Sequence, residues 1–275
     1  MDSFHLEYLV FTIIFTSLLL FVSFIVVQSC RAFKNRQEDT KGAGWALTAN
    51  FVAMISLGIW ISDMAVVYSS RERSTTTSRY LFWVAHFMVI FAIELGIVEL
   101  KEMIQAVNER PVIAYRDFFF WRLLTPLIGL VIFILAMIIS WRDDFSTQFH
   151  IPLAAAWSCI VLGYTFWIIW KFSIMIGNTI RMAQVLNRRT DQENKLKILQ
   201  RRLWVLMGFC AVSFTIYLAS FLLGVIIVEH AETVFIVATI VTYIKQAFYY
   251  MVYVYKPSPQ RRKRGSSKPL LGVVY

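Results

Sequence analysis

Residues 203–228 read LWVLMGFCAVSFTIYLASFLLGVIIV, with no Asp, Glu, Lys or Arg among them. A helix of that length reaches about 39 Å, more than the roughly 30 Å of a bilayer's hydrocarbon core. In lipid it must be a helix: every backbone polar group needs an internal partner, and the run lacks the period-two alternation of a barrel strand. Just before it stand Arg201 and Arg202, and further upstream Thr190-Asp191-Gln192-Glu193 has the spacing of a capping box. The helix is therefore expected to begin near residue 191, projecting roughly 18 Å beyond the lipid as a lever or, alternatively, as a snorkelling basic collar.

Working outward, six more apolar runs of about that length occupy residues 6–29, 45–69, 80–100, 119–141, 152–176 and 233–255. The expected fold is an all-α membrane protein, a seven-transmembrane helix bundle forming one domain over 1–255. A basic tail follows at 256–275, kept out of the last helix by Pro257 and Pro259. With 58% of the 275 residues hydrophobic and 16% charged, a soluble enzyme is excluded. The three cysteines, Cys30, Cys159 and Cys210, sit at or inside apolar runs, which argues against a disulfide framework. Cys30, beside Arg31, is a candidate for palmitoylation or a plain buried thiol.

Orientation follows from the basic residues. The loops after the first, third and fifth runs, with the tail, hold twenty Lys and Arg, against four in the amino terminus and the other loops. The amino end is thus expected outside or in a lumen and the carboxyl end in the cytosol. The first run is too long, and lacks the basic start, to be a removed signal peptide. The net charge of +10 flanks lipid-length segments, so the expected partner is the bilayer's anionic surface and no nucleic acid. The location is the plasma membrane or an endomembrane.

Charges inside the runs carry most of the information. Asp63, Glu94, Glu99 and Lys245 are intramembrane, and Lys171 lies near enough to the inner edge to snorkel. Counted from their outer ends, Glu94 and Lys245 lie within about 3 Å of the same depth, which predicts an interhelical ion-pair lock. Thr239, Thr242, Gln246, Tyr249 and Tyr253 form a polar stripe beside Lys245, and His86, Ile90 and Glu94 share a face of the third run. A cavity between these helices would have Trp60, Asp63, Trp83 and His86 at its outer end as ligand contacts. The alternative is a satisfied polar network that only ties helices together. The four histidines are isolated, without metal-ligand spacing, so neither an enzyme nor a metal site is expected.

A lysine midway along a seventh helix also suits a Schiff base with retinal. Arg79-Tyr80-Leu81-Phe82-Trp83 is similar to the Arg-Tyr-x-x-Trp signature of microbial rhodopsins, which implies retinal on Lys245. The counter-ion positions of that family fall on Phe82 and Val241, leaving Glu94 to serve instead. Otherwise no cofactor is expected. In general plan the chain resembles the G-protein-coupled-receptor superfamily, although Glu99-Leu100-Lys101-Glu102 and Phe248-Tyr249-Tyr250 replace two of its motifs. Gly44-Trp45 and Phe91-Ala92-Ile93-Glu94 are similar to membrane proteins of the tobamovirus-multiplication type. These resemblances imply a receptor-like transducer of a small-molecule signal to a cytosolic partner such as a G protein. That partner would meet Arg188, Arg189, Lys195, Lys197, Arg201 and Arg202. Arg261, Arg262, Lys263 and Arg264 in the tail would hold anionic lipid or act as a sorting signal. A transporter or channel, which would use the same charges as a pathway, and a membrane scaffold stand as alternatives.

Overall fold

The structure, a computed structural model, describes residues 3–34, 43–70, 75–107, 127–138, 149–185, 191–226 and 228–254. Among these residues every element longer than a turn is a helix: α1 (Ser3–Lys34), α2 (Ala43–Ser70), α3 (Thr76–Val107), α4 (Leu127–Ile138), α5 (His150–Val185), α6 (Asp191–Ile226) and α7 (Val228–Val254). Six are long and apolar enough to cross a membrane. The chain is an integral, multi-pass membrane protein. At about 18 Å, α4 is shorter than the hydrocarbon core, and the rest of the run expected at 119–141 lies outside the described residues.

Contacts between helices set their arrangement. Phe15 of α1 stacks on Trp60 of α2 at 5.6 Å. Ser56 of α2 donates to Ala85 O of α3 at 2.6 Å. Phe87 of α3 packs on Phe133 of α4 at 4.8 Å. Gly129 lets α4 approach α5 so closely that an added Cβ would stand 2.5 Å from Trp157. Gln200 of α6 reaches Ser173 O of α5 at 3.5 Å, and Phe209 of α6 meets Phe248 of α7 at 5.5 Å. Tyr8 of α1 closes the circuit by donating to Glu232 of α7 at 2.9 Å. Helix α3 touches α2, α4, α5 and, through Phe82 and Phe235 at 5.3 Å, α7. We call the end where α1 begins the upper end.

The antiparallel pair α5 and α6 runs beyond the lipid-length part. Pro152 lies against Gly224 near the top, Gly163 against Phe214 midway and Gly177 against Gln200 near the bottom, so the two helices keep one register along their shared length. From His150 down to Trp170 is about 30 Å, the thickness of the hydrocarbon core. At that lower level Trp167 and Trp170 are exposed and the Lys171 ammonium lies 5.9 and 5.6 Å from their ring centroids. On the α5–α6 register, exposed Trp204 stands opposite Ser173, about 4.5 Å below Trp170. Aromatic rings and a snorkelling lysine at neighbouring depths are what an interface with lipid headgroups selects. Below it α5 continues for about 22 Å and α6 for about 20 Å. The helix start expected near residue 191 is found at Asp191, and Leu196 and Leu199 pack inward against the core.

Candidate functional site

The upper half of the bundle holds an aromatic and polar layer centred on α3. His86 is fully buried, with ring centroids at 5.3 Å from Phe235, 5.6 Å from Trp157, 6.1 Å from Phe82 and 6.2 Å from Trp83. Its Nε2 stands 3.4 Å from Ser158 Oγ of α5. Four-residue spacing puts Phe82 and His86 on the same face of α3, so the two rings overlie one another. Trp60 is closed in by Phe15 and by Phe82 at 5.5 Å. Asp63, also buried, accepts a 2.6 Å hydrogen bond from Ser78 Oγ. Of the four residues expected to touch a ligand, Trp60, Asp63 and His86 belong to this packed layer.

Trp83 also lines an open space. A cleft of about 440 Å³ at the upper end is walled by Trp83 of α3, Ala136 of α4, Phe149, His150, Pro152, Leu153 and Ala156 at the start of α5, and Phe221 and Val225 of α6. Its size lies in the lower part of the roughly 300–1,000 Å³ range of small-molecule sites. Trp83 Nε1 donates to His150 Nδ1 at 2.7 Å and joins α3 to the first turn of α5. In the sequence His150 is one of four isolated histidines, with no metal-ligand spacing to single it out. The only signal was a histidine beside a helix start, and its partner lies 67 positions away in sequence.

Lower down, a second polar layer joins α2, α6 and α7. The hydroxyl of Ser56 gives its one proton to Ala85 O, so in its short hydrogen bond with Tyr243 the tyrosine is the donor. By the same count Tyr217 donates to Thr239 at 3.1 Å, since Thr239 donates to Phe235 O. Thr239, Thr242 and Gln246 of the expected stripe are buried, whereas the side chains of Tyr249 and Tyr253 lie outside those described.

The expected lock between Glu94 and Lys245 is not made in this arrangement. Lys245 is 2% exposed, and its Nζ has no hydrogen-bond partner among the described residues. Its depth matches that of Glu94, but its direction does not. Gln246, one position on and about 100° further round the helix, is the side chain that reaches α3, donating to Ala92 O at 3.2 Å. Lys245 turns instead toward α6, where Cys210 is its electrostatic neighbour. Cys30, by contrast, is exposed.

At the lower end Lys197 and Arg201 are exposed and Arg202 is half-buried. Lys195 belongs to α6, with its side chain outside those described. Arg188, Arg189 and the tail residues Arg261, Arg262, Lys263 and Arg264 lie outside the described residues, and the side chain of Glu99 is not among those described. No group of three or more His, Cys, Asp or Glu is placed to hold a metal among the described residues.

No protein-family model matches the chain, and a search of curated proteins finds no match. The class that fold and site define is therefore a multi-pass helical membrane protein with an apolar cleft at one end and an extended helical pair at the other. No family places it more narrowly.

Proposed function

We propose that the chain is a seven-span, receptor-like membrane protein, amino end outside and carboxyl end cytosolic. A small ligand enters the upper cleft, and α5 and α6 pass the change to a cytosolic partner such as a G protein. One observation carries the reading: α5 and α6 wall the cleft with Pro152, Leu153, Ala156, Phe221 and Val225 and continue as unbroken helices past the opposite membrane face. A ligand that separates their upper ends must tilt their lower ends, because a helix transmits displacement as a rod. The twenty-to-four division of basic residues supports the orientation and puts Lys197 and Arg201 on the cytosolic side.

Filling the cleft tests this without knowing the ligand. Spin labels at Thr179 on α5 and Ile198 on α6, which the register places level, should report a distance change of about 2 Å or more when Ala156→Trp occupies the space. An unchanged distance distribution in a folded Ala156→Trp protein refutes the reading. The buried Lys245 amine, unpartnered among the described residues, favours a second reading, imine formation with retinal aldehyde. It requires a visible band in protein incubated with retinal, absent from Lys245→Ala; folded protein without a band removes it.

A further inference from the structure

We propose that the upper cleft takes an uncharged amphiphile from the outer leaflet, its apolar body against Ala156, Trp83 and Phe221 and one acceptor oxygen, an ester, carbonyl or hydroxyl, on His150 Nε2–H. The proposal rests on the cleft being the ligand site of the reading above and adds the chemistry of its occupant.

Three observations converge on it. The first is the hydrogen-bond count. An indole N–H only donates, so His150 Nδ1, at 2.7 Å from Trp83 Nε1, must be the acceptor. The ring then carries its proton on Nε2. That second nitrogen is buried with no partner among the described residues, in a side chain only 8% exposed. A buried donor at the wall of an open cleft is a vacancy for one acceptor. Trp83 has no further polar atom to offer, and the other lining side chains are Ala, Phe, Pro, Leu and Val. No described side chain that lines the cleft is charged, and Arg79, which acts electrostatically on His150, is not among its lining residues, so the walls favour an uncharged occupant.

The second observation is the rim. Phe149 is 63% exposed and Val225 66%, and both are apolar. On a membrane protein, exposed apolar surface of this kind meets lipid, so the mouth is reached from the bilayer. Depth supplies the third. His150 stands about 30 Å above Trp170, at the upper boundary of the hydrocarbon core. Ala156 lies about 9 Å deeper. The donor therefore sits where the hydroxyl and ester oxygens of amphiphiles collect, with the apolar wall below it, where their chains run.

The test uses the full-length protein in lipid nanodiscs and a diazirine-bearing oleoyl methyl ester as photoprobe, its attachment mapped by peptide mass spectrometry. Labelling is expected on the segments around Ala156 and Phe221, and Ala156→Trp should abolish it. Competition with unlabelled methyl oleate should be about fivefold more effective than with the matched alkene lacking the ester, the ratio one net hydrogen bond supplies. His150→Phe should erase that preference while the segments remain labelled. Equal competition by ester and alkene in the unsubstituted protein overturns this proposal and leaves the cleft as a ligand site. Labelling that is absent from these segments, or unaffected by Ala156→Trp, overturns both. Competition by diacylglycerol supplied in the nanodisc, at the strength of methyl oleate, identifies a membrane lipid as the source and supports the proposal.

Discussion

Gly224 is the position at which the packing argument can be tested most sharply. A Cβ built there would stand 2.7 Å from Pro152 Cγ and 3.1 Å from Pro152 Cδ, against an ordinary carbon contact of about 3.5–4.0 Å. The proline ring cannot rotate out of the way, because its side chain is closed on the backbone. Gly224→Ala must therefore move α5 from α6 at the cleft's edge, an overpacking cost of about 1–3 kcal/mol. Against this stands the alanine's better helix propensity, about 1 kcal/mol. Gly208, on the same helix, has nothing within 4 Å of its would-be Cβ, so Gly208→Ala collects the propensity gain alone. Comparing the two variants cancels that gain and leaves the clash. Gly224→Ala should unfold below Gly208→Ala by about 1–3 kcal/mol, at roughly 2–4 °C of Tm per kcal/mol. A thiol-reactive dye reads the transition through Cys210, which is buried in the folded chain. Pro152→Ala should restore part of the loss in the double variant, a coupling of at least about 0.5 kcal/mol. If Gly224→Ala melts at or above Gly208→Ala, or Pro152→Ala rescues nothing, the close approach of α5 and α6 is refuted.

Three further outcomes are expected. Gly129→Leu should lower Tm by several degrees, since its first side-chain atom already meets Trp157 Cζ2 at 2.5 Å; an unchanged melting curve would place α4 elsewhere. Lys245→Met should raise stability by about 1–3 kcal/mol, because an amine with no hydrogen-bond partner among the described residues gives way to an apolar chain of similar length. A loss of stability in Lys245→Met would mean that the amine is paired. Tyr217→Phe should cost about 0.6 kcal/mol, typical of a hydrogen bond between membrane helices, and Thr239→Val should add little on top of it. Full additivity in that double variant counts against the bond.

Apolar runs located the six long helices, although α3 continues seven and α5 nine residues past the expected ends, and the capping box at Thr190–Glu193 gave the start of α6. These features are local: length in lipid sets the first, and backbone amides at a helix start set the second. The site was legible only in part. Trp83 was named from its place on α3, but His150, Pro152 and Phe221 were not, because which faces meet depends on helix rotation and register. Lys245 shows the limit in a single residue. Its depth was read to within one helical turn, yet a rotation of about 100° gives the contact with α3 to Gln246. Asp63 shows another limit. The sequence marks it as an intramembrane charge, but not its partner Ser78, which donates a hydrogen bond to it from 15 positions further on.

The junction of α6 and α7 has a mechanical consequence. Ile226 and Val228 are separated by one residue, so their Cα atoms are no more than about 7 Å apart. Ser220 Oγ holds Ala231 O at 2.9 Å immediately below. The top of α6 is thereby fastened to its neighbour, while its other extremity, 36 residues away by helix, lies about 54 Å off. A swing of about 5° around that fastening carries the far extremity roughly 5 Å, close to one helical pitch. Amplification on this scale needs no flexible joint, only a stiff rod anchored at one tip.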